Sequence, residues 1–124
     1  MKLGEVFIWE TDQALGHQTR NKFHIFICEE DAADGHTFLF ISSTDYGSDF
    51  QILQTDYGFL THDSFISIGR IVCYTEIQLA AFKKKSVGQI SKEHLQQLFN
   101  VVQGSETMEV KDIKRVCNAL KVVM

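Results

Sequence analysis

The chain has 124 residues, 44% of them hydrophobic, with ten phenylalanines and a formal net charge of −4. That is one domain of ordinary size with enough apolar side chain to fill a core. The acidic balance argues against a broad basic surface coating nucleic acid, while leaving room for a small local cationic site.

The elements follow in chain order. "EVFIWE", residues 5–10, is β-branched and aromatic and predicts a strand. "TDQALGHQTRN" is a polar connection, long for a small domain. A second strand covers 22–28 and the acidic "EEDAADG" a turn. "HTFLFISST", 36–44, reads as a third strand that ends where the apolar residues give way to Ser42, Ser43 and Thr44. "FQIL" is a short strand between two copies of "TDYG", both read as turns. Residues 64–79 read as one long strand or two, with Gly69 marking a bulge or bend.

The period then changes. Leu95, Leu98, Phe99 and Val102 share one helical face, with Ser91 as N-cap and Gly104 as stop. A second helix is predicted over about 107–122, with Val110, Ile113, Val116, Cys117 and Leu120 as its apolar stripe. Strands followed by helices, with no βαβ alternation, indicate an α+β fold: a small twisted barrel of five or six mostly antiparallel strands carrying C-terminal helices. The sequence contains no proline, so turns fall to Gly, Asp and Asn.

Several chemistries are excluded by pattern. The five histidines and three cysteines (Cys28, Cys73, Cys117) show no HxxxH, HExxH or CxxC spacing, so no metal or other cofactor is expected and the cysteines read as reduced core thiols. There is no glycine-rich phosphate loop and no GxSxG elbow. The opening residues lack a signal peptide and no apolar run reaches the ~18 residues of a membrane helix, which points to the cytoplasm.

One constellation remains. Along an extended strand, Arg20, Lys22 and His24 share a face, with Phe23, Ile25 and Ile27 opposite. If strands two and three form an antiparallel hairpin, Lys22 and Ser43 arrive at the same end of the pair. A metal-free group of cations, imidazole and hydroxyls suits phosphodiester chemistry on RNA, whose own 2′-OH is the nucleophile. For the remaining residues both a functional and a structural reading stand. Tyr46 and Tyr57, in turns, are base-stacking candidates; Arg70 reaches RNA or pairs with Glu76; Lys83 and Lys84 contact phosphate or decorate a turn; Asp63 orients a cation or caps a turn. Trp9 and Tyr74 read as core.

Residues 4–104 resemble the MazF/PemK-like toxins, endoribonucleases of toxin–antitoxin modules. The resemblance is carried in order by "GEVFIWETD", "GHQTRNKFHIFIC", "FLFISST", "DFQIL", "FLTHDSFISIGRI" and "VGQISKEHLQQLFNVV". It implies an SH3-like barrel within a single domain spanning 1–124, with 105–124 an added helix. It also implies a homodimer, single-stranded RNA as substrate and a small antitoxin protein as partner. Lys22, or Arg20 by a two-residue shift, falls at the family's catalytic arginine, without the proline that follows it there. Ser43 or Thr44 falls at its catalytic hydroxyl, and His24 lies beside them. Two alternatives share the barrel: a non-catalytic interaction module and a gyrase-targeting toxin.

Overall fold

Strand β2 (Arg20–Glu29) sits at the centre of the molecule because it has two good faces to bury. Antiparallel to it run β1 (Glu5–Thr11) and β3 (His36–Ser42). The structure is a computed structural model and describes residues 1–11, 20–29, 35–45, 47 and 49–124. Short strands β4 (Phe50–Ile52), β5 (Ser64–Ile66) and β6 (Val72–Tyr74) follow, then helix α1 (Glu76–Phe82), strand β7 (Lys85–Gln89) and helices α2 (Lys92–Gln103) and α3 (Val110–Leu120). The sheet order is β4-β5-β3-β2-β1-β7, with β6 pairing β3 as well. This curled antiparallel sheet with its helices is the α+β architecture expected, with seven strands among the described residues where five or six were expected.

The register sorts side chains onto two faces. Val6 lies opposite Ile25, which lies opposite Leu39. Phe7 lies opposite His24, which lies opposite Phe40. Cross-strand partners point to the same side of a sheet. On one side Val6, Ile25, Ile27, Leu39 and Ile41 pack with Leu95, Leu98 and Val102 of α2 and Val116, Cys117 and Leu120 of α3. Each such aliphatic side chain contributes about 1.5–3 kcal/mol on burial. On the other side Phe7, Trp9, Phe26, Phe38 and Phe40 pack with Val72, Tyr74 and Leu79, and Phe82 of α1 lies against them. The second core places Trp9 and Tyr74 in the interior.

The run read as one or two strands over 64–79 breaks in the middle. Strand β5 pairs with the end of β3 (Ile41 opposite Ile66) and β6 with its beginning (Phe38 opposite Val72). Gly69 lies in the intervening bend. After Tyr74 the chain turns helical, not extended. Thr75 and Gln78 form a capping box: Thr75 Oγ1 accepts from the Gln78 N–H at 3.2 Å, and Gln78 Oε1 accepts from the Thr75 N–H at 2.9 Å. That local bonding outweighs the weak β pattern of 76–79. The second predicted helix forms as α3 and closes over α2 and β2. Of its predicted stripe, Val110 is exposed and Ile113 half-buried. The cysteines are free thiols; Cys117 is buried, and burial pushes its pKa up. Cys28 and Cys73 are half-buried, and Arg115 Nη1 of α3 donates to Cys73 Sγ at 3.5 Å.

Two left-handed positions have opposite consequences. Gly35 (φ +74°) lies where a Cβ would come within 2.4 Å of the Tyr74 carbonyl, so Gly35→Ala is expected to cost ~2–4 kcal/mol. Lys83 ends α1 at φ 56°, a conformation costing a non-glycine residue about 1–2 kcal/mol. Lys83→Gly, after its extra unfolded-state entropy, is expected to stabilise by ~0.5–1 kcal/mol. Urea midpoints at unchanged m-value measure both.

Candidate active site

Three chain segments end at the same edge of the sheet. Phe23 is paired with Ile41, so the beginning of β2 and the end of β3 are adjacent. Ser42 is paired with Phe65, which brings β5 and the turn before it to the same place. A cleft of about 200 Å³ opens there. The start of β2 lines it with Asn21, Lys22 and Phe23, the end of β3 with Ile41, Ser42 and Ser43, and the turn before β5 with Leu60, Thr61 and His62. Phe23, Ile41 and Leu60 give it an apolar floor; Asn21, Ser43, Thr61 and His62 are exposed at its rim.

Local hydrogen bonds set the polar groups. Ser42 Oγ accepts from the Thr44 N–H at 3.1 Å, which leaves the Ser42 O–H proton able to donate elsewhere. The His62 ring is held by Thr61, whose Oγ1 lies 2.9 Å from Nδ1, leaving Nε2 as its second functional atom. Ser64, buried at the head of β5, donates from Oγ to the His62 carbonyl at 3.1 Å. Asp63 Oδ1 accepts from the Gln54 N–H at 2.8 Å, the turn-capping role among its two readings. Phe59 packs its ring 5.1 Å from that of Phe23.

The juxtaposition read from the hairpin therefore forms for Lys22 and Ser43. It does not form for His24. That ring is fully buried in the second core, stacked on Trp9 with centroids 3.7 Å apart and 7° between planes, and tilted on Phe40 at 4.9 Å. Its Nδ1–H donates to the Lys22 carbonyl at 2.9 Å. Burial first, and the Lys22 charge second, push its pKa down from 6.5 to about 3, against the raising effect of that carbonyl bond. A neutral, enclosed imidazole moves no protons for a substrate; His24 anchors the Lys22 backbone instead. Alternation put it on the face of Lys22, but that face becomes interior two residues further on.

The other expected residues divide. The backbone of Thr44 bonds Ser42, and its side chain does not line the cleft. Tyr57 is buried, not a stacking surface: its OH donates to Ser91 Oγ at 3.2 Å, lies 2.5 Å from His94 Nδ1 and accepts from the Ser91 N–H at 3.1 Å, all at the start of α2. Arg70 lies over the Phe40 ring at 5.9 Å and Lys84 over Phe7 at 5.7 Å, cation–π contacts at the edge of the aromatic core. Glu76, the candidate partner of Arg70, bonds His36. Lys83 is the helix end described above. None of Arg70, Lys83 and Lys84 lines the cleft. Arg20 opens β2 opposite Thr11, but its side chain, like Tyr46, lies outside the described residues.

Sequence reasoning missed His62 and Asn21 as site residues, and it gave the hydroxyl role to Ser43 or Thr44 while Ser42, in the same cluster, also lines the cleft. For His62 the only signal was its place in "FLTHDSFI", immediately before a strand that ends beside the hydroxyl cluster. No protein-family profile matches the chain, and no curated protein matches it significantly. Among the described residues no helix is long and apolar enough to cross a membrane.

The buried His24 makes stability depend on pH. Between pH 6.5 and about 3 the unfolded imidazole binds a proton that the folded one refuses, so its contribution is complete above 6.5 and declines as the pH falls. The loss approaches ~4–5 kcal/mol at the acid end. His24→Phe, which keeps the stack on Trp9, is expected to flatten that part of the slope in urea unfolding measured from pH 4 to pH 7.

Proposed function

We propose that the protein is a metal-independent endoribonuclease toxin of the MazF/PemK-like type, acting on single-stranded RNA at the cleft between β2, β3 and β5. The observation that carries this reading is the convergence of Lys22, Ser42, Ser43 and His62 around one opening. In transesterification the 2′-OH attacks the adjacent phosphorus and the bond to the 5′-oxygen breaks. The products are a 2′,3′-cyclic phosphate and a 5′-hydroxyl. Negative charge builds on the non-bridging oxygens, where the Lys22 ammonium offsets it and the Ser42 and Ser43 hydroxyls donate hydrogen bonds. The two proton transfers, from the 2′-OH and to the leaving 5′-oxygen, suit an imidazole, and His62 is the imidazole at the rim. The exposed Asn21 carries both donor and acceptor atoms for a base edge.

Lysine in place of arginine changes how phosphate is held. An ammonium is a compact point charge, whereas a guanidinium grips two oxygens at once. A homodimer, a cytoplasmic site of action and an antitoxin partner that blocks the cleft belong to the same proposal.

End-labelled RNA incubated with the protein in EDTA is expected to yield fragments with cyclic-phosphate ends. Lys22→Ala is expected to slow cleavage by ~10²–10³ and His62→Ala by ~10²–10⁴. Ser42→Ala and Ser43→Ala are each expected to cost about tenfold or more, with the double variant worse. Absence of cleavage by the intact protein across varied RNA pools, or full activity of Lys22→Ala and His62→Ala, contradicts the reading. Breaks in DNA rather than RNA would assign the barrel to a gyrase-directed toxin.

A further inference from the structure

We propose that Glu29, His36 and Glu76 form a zinc-binding site that clips the far end of the β2–β3 hairpin to helix α1. The three come from different elements. Glu29 ends β2 and lies directly opposite His36, the first residue of β3. His36 is paired on its other side with Tyr74 of β6, and Glu76 opens α1 two residues later. One ligand atom from each lies within 4.8 Å of the other two.

The histidine distinguishes this group from a chance meeting of acidic side chains. His36 is only 3% exposed, so its ring is fixed by the core, and its Nε2 emerges toward the carboxylates and bonds Glu76 Oε1. Its other nitrogen, Nδ1, is buried with no hydrogen-bond partner among the described residues. An orphaned polar atom in the interior is a cost that an apolar residue at this position would avoid. The cost buys an imidazole nitrogen presented between two glutamates. Gly35 allows the necessary approach, since any Cβ there would strike the Tyr74 carbonyl.

One imidazole nitrogen and two carboxylate oxygens suit Zn²⁺, with a fourth position left for water. Zinc–ligand bonds of about 2.0–2.2 Å place ligand atoms roughly 3.4 Å apart in a tetrahedron. The exposed Glu29 and Glu76 side chains close that distance by rotation while His36 stays in place. Binding replaces the Nε2–Glu76 hydrogen bond with the shared ion and holds the neutral imidazole as the tautomer protonated at Nδ1. The ion holds the N-terminus of α1 down over the Trp9 and His24 core. His36 and Ser42 stand at opposite ends of β3, about 20 Å apart at roughly 3.3 Å per residue, so this site is independent of the proposed cleavage chemistry. The spacing patterns used on the sequence did not detect it because its ligands lie on three elements.

The full chain, stripped with EDTA, is titrated with Zn²⁺ by calorimetry and by thermal melting, and with Co²⁺ by visible absorption. One Zn²⁺ per chain at micromolar affinity or better is expected. So are a melting temperature raised by about 10 °C at a hundredfold excess over Kd and a Co²⁺ spectrum with visible ligand-field bands. Glu29→Gln and Glu76→Gln, both at exposed positions, are each expected to weaken binding at least tenfold, and the double variant at least a hundredfold, while melting in EDTA stays near that of the parent. Absence of Zn²⁺ binding by the parent overturns the proposal, as does equal affinity in parent and double variant. Loss of binding on His62→Ala or His94→Ala, with the glutamate variants unaffected, also overturns it.

Discussion

The antiparallel pairing of β2 with β3, in the register that sets Phe23 against Ile41, is the constraint on which the rest of the structure depends. A slip of one residue would exchange the two faces of β2, sending Ile25 toward the aromatic core and His24 toward the helices. The register is protected because both faces are buried. Aliphatic side chains on one side fit α2 and α3, and rings on the other fit β6 and α1. The same pairing gathers polar side chains at the two ends of the hairpin, with Lys22 beside Ser42 and Ser43 at one and Glu29 beside His36 at the other.

The two histidines nearest the opening show how position decides role. His24 follows Lys22 by two residues, yet it is enclosed, stacked and driven neutral by desolvation. His62, from a turn forty residues away in the fold's periphery, stands at the rim with one nitrogen held by Thr61. A buried imidazole serves the backbone of Lys22; an exposed one stays open to whatever enters the cleft. The core thus supplies rigidity to the cation, and the turn supplies the imidazole at the rim.

Much of the fold was legible because it rests on periodicity. Strands β1 to β4 and helices α2 and α3 follow from alternation, from the 3.6-residue stripe, and from cap residues such as Ser91 and Gly104. Antiparallel geometry converts distance from a turn into proximity, which made the meeting of Lys22 and Ser43 legible. Helix α1 was not legible from hydrophobic pattern: at seven residues it is specified by the Thr75–Gln78 capping box, a local hydrogen-bond device that the β-branched residues before it obscure. The second core was hidden for a related reason. Period-2 alternation reveals which residues share a face, but whether that face meets water depends on α1 and β6, which arrive fifty residues later. Hence His24 and Tyr57, polar by type, prove to be interior, while His62 joins the cleft through a long-range contact between β3 and β5.

The most direct test of where this protein meets its substrate is a titration with a 2′-O-methyl RNA oligonucleotide, which cannot be cleaved, followed by backbone and imidazole NMR shifts. The account predicts that the largest changes fall on Asn21, Lys22, Phe23, Ser42, Ser43 and His62, with the His24 ring unmoved in its stack. Changes centred instead on Arg70, Lys83 and Lys84, with the cleft residues silent, would contradict it.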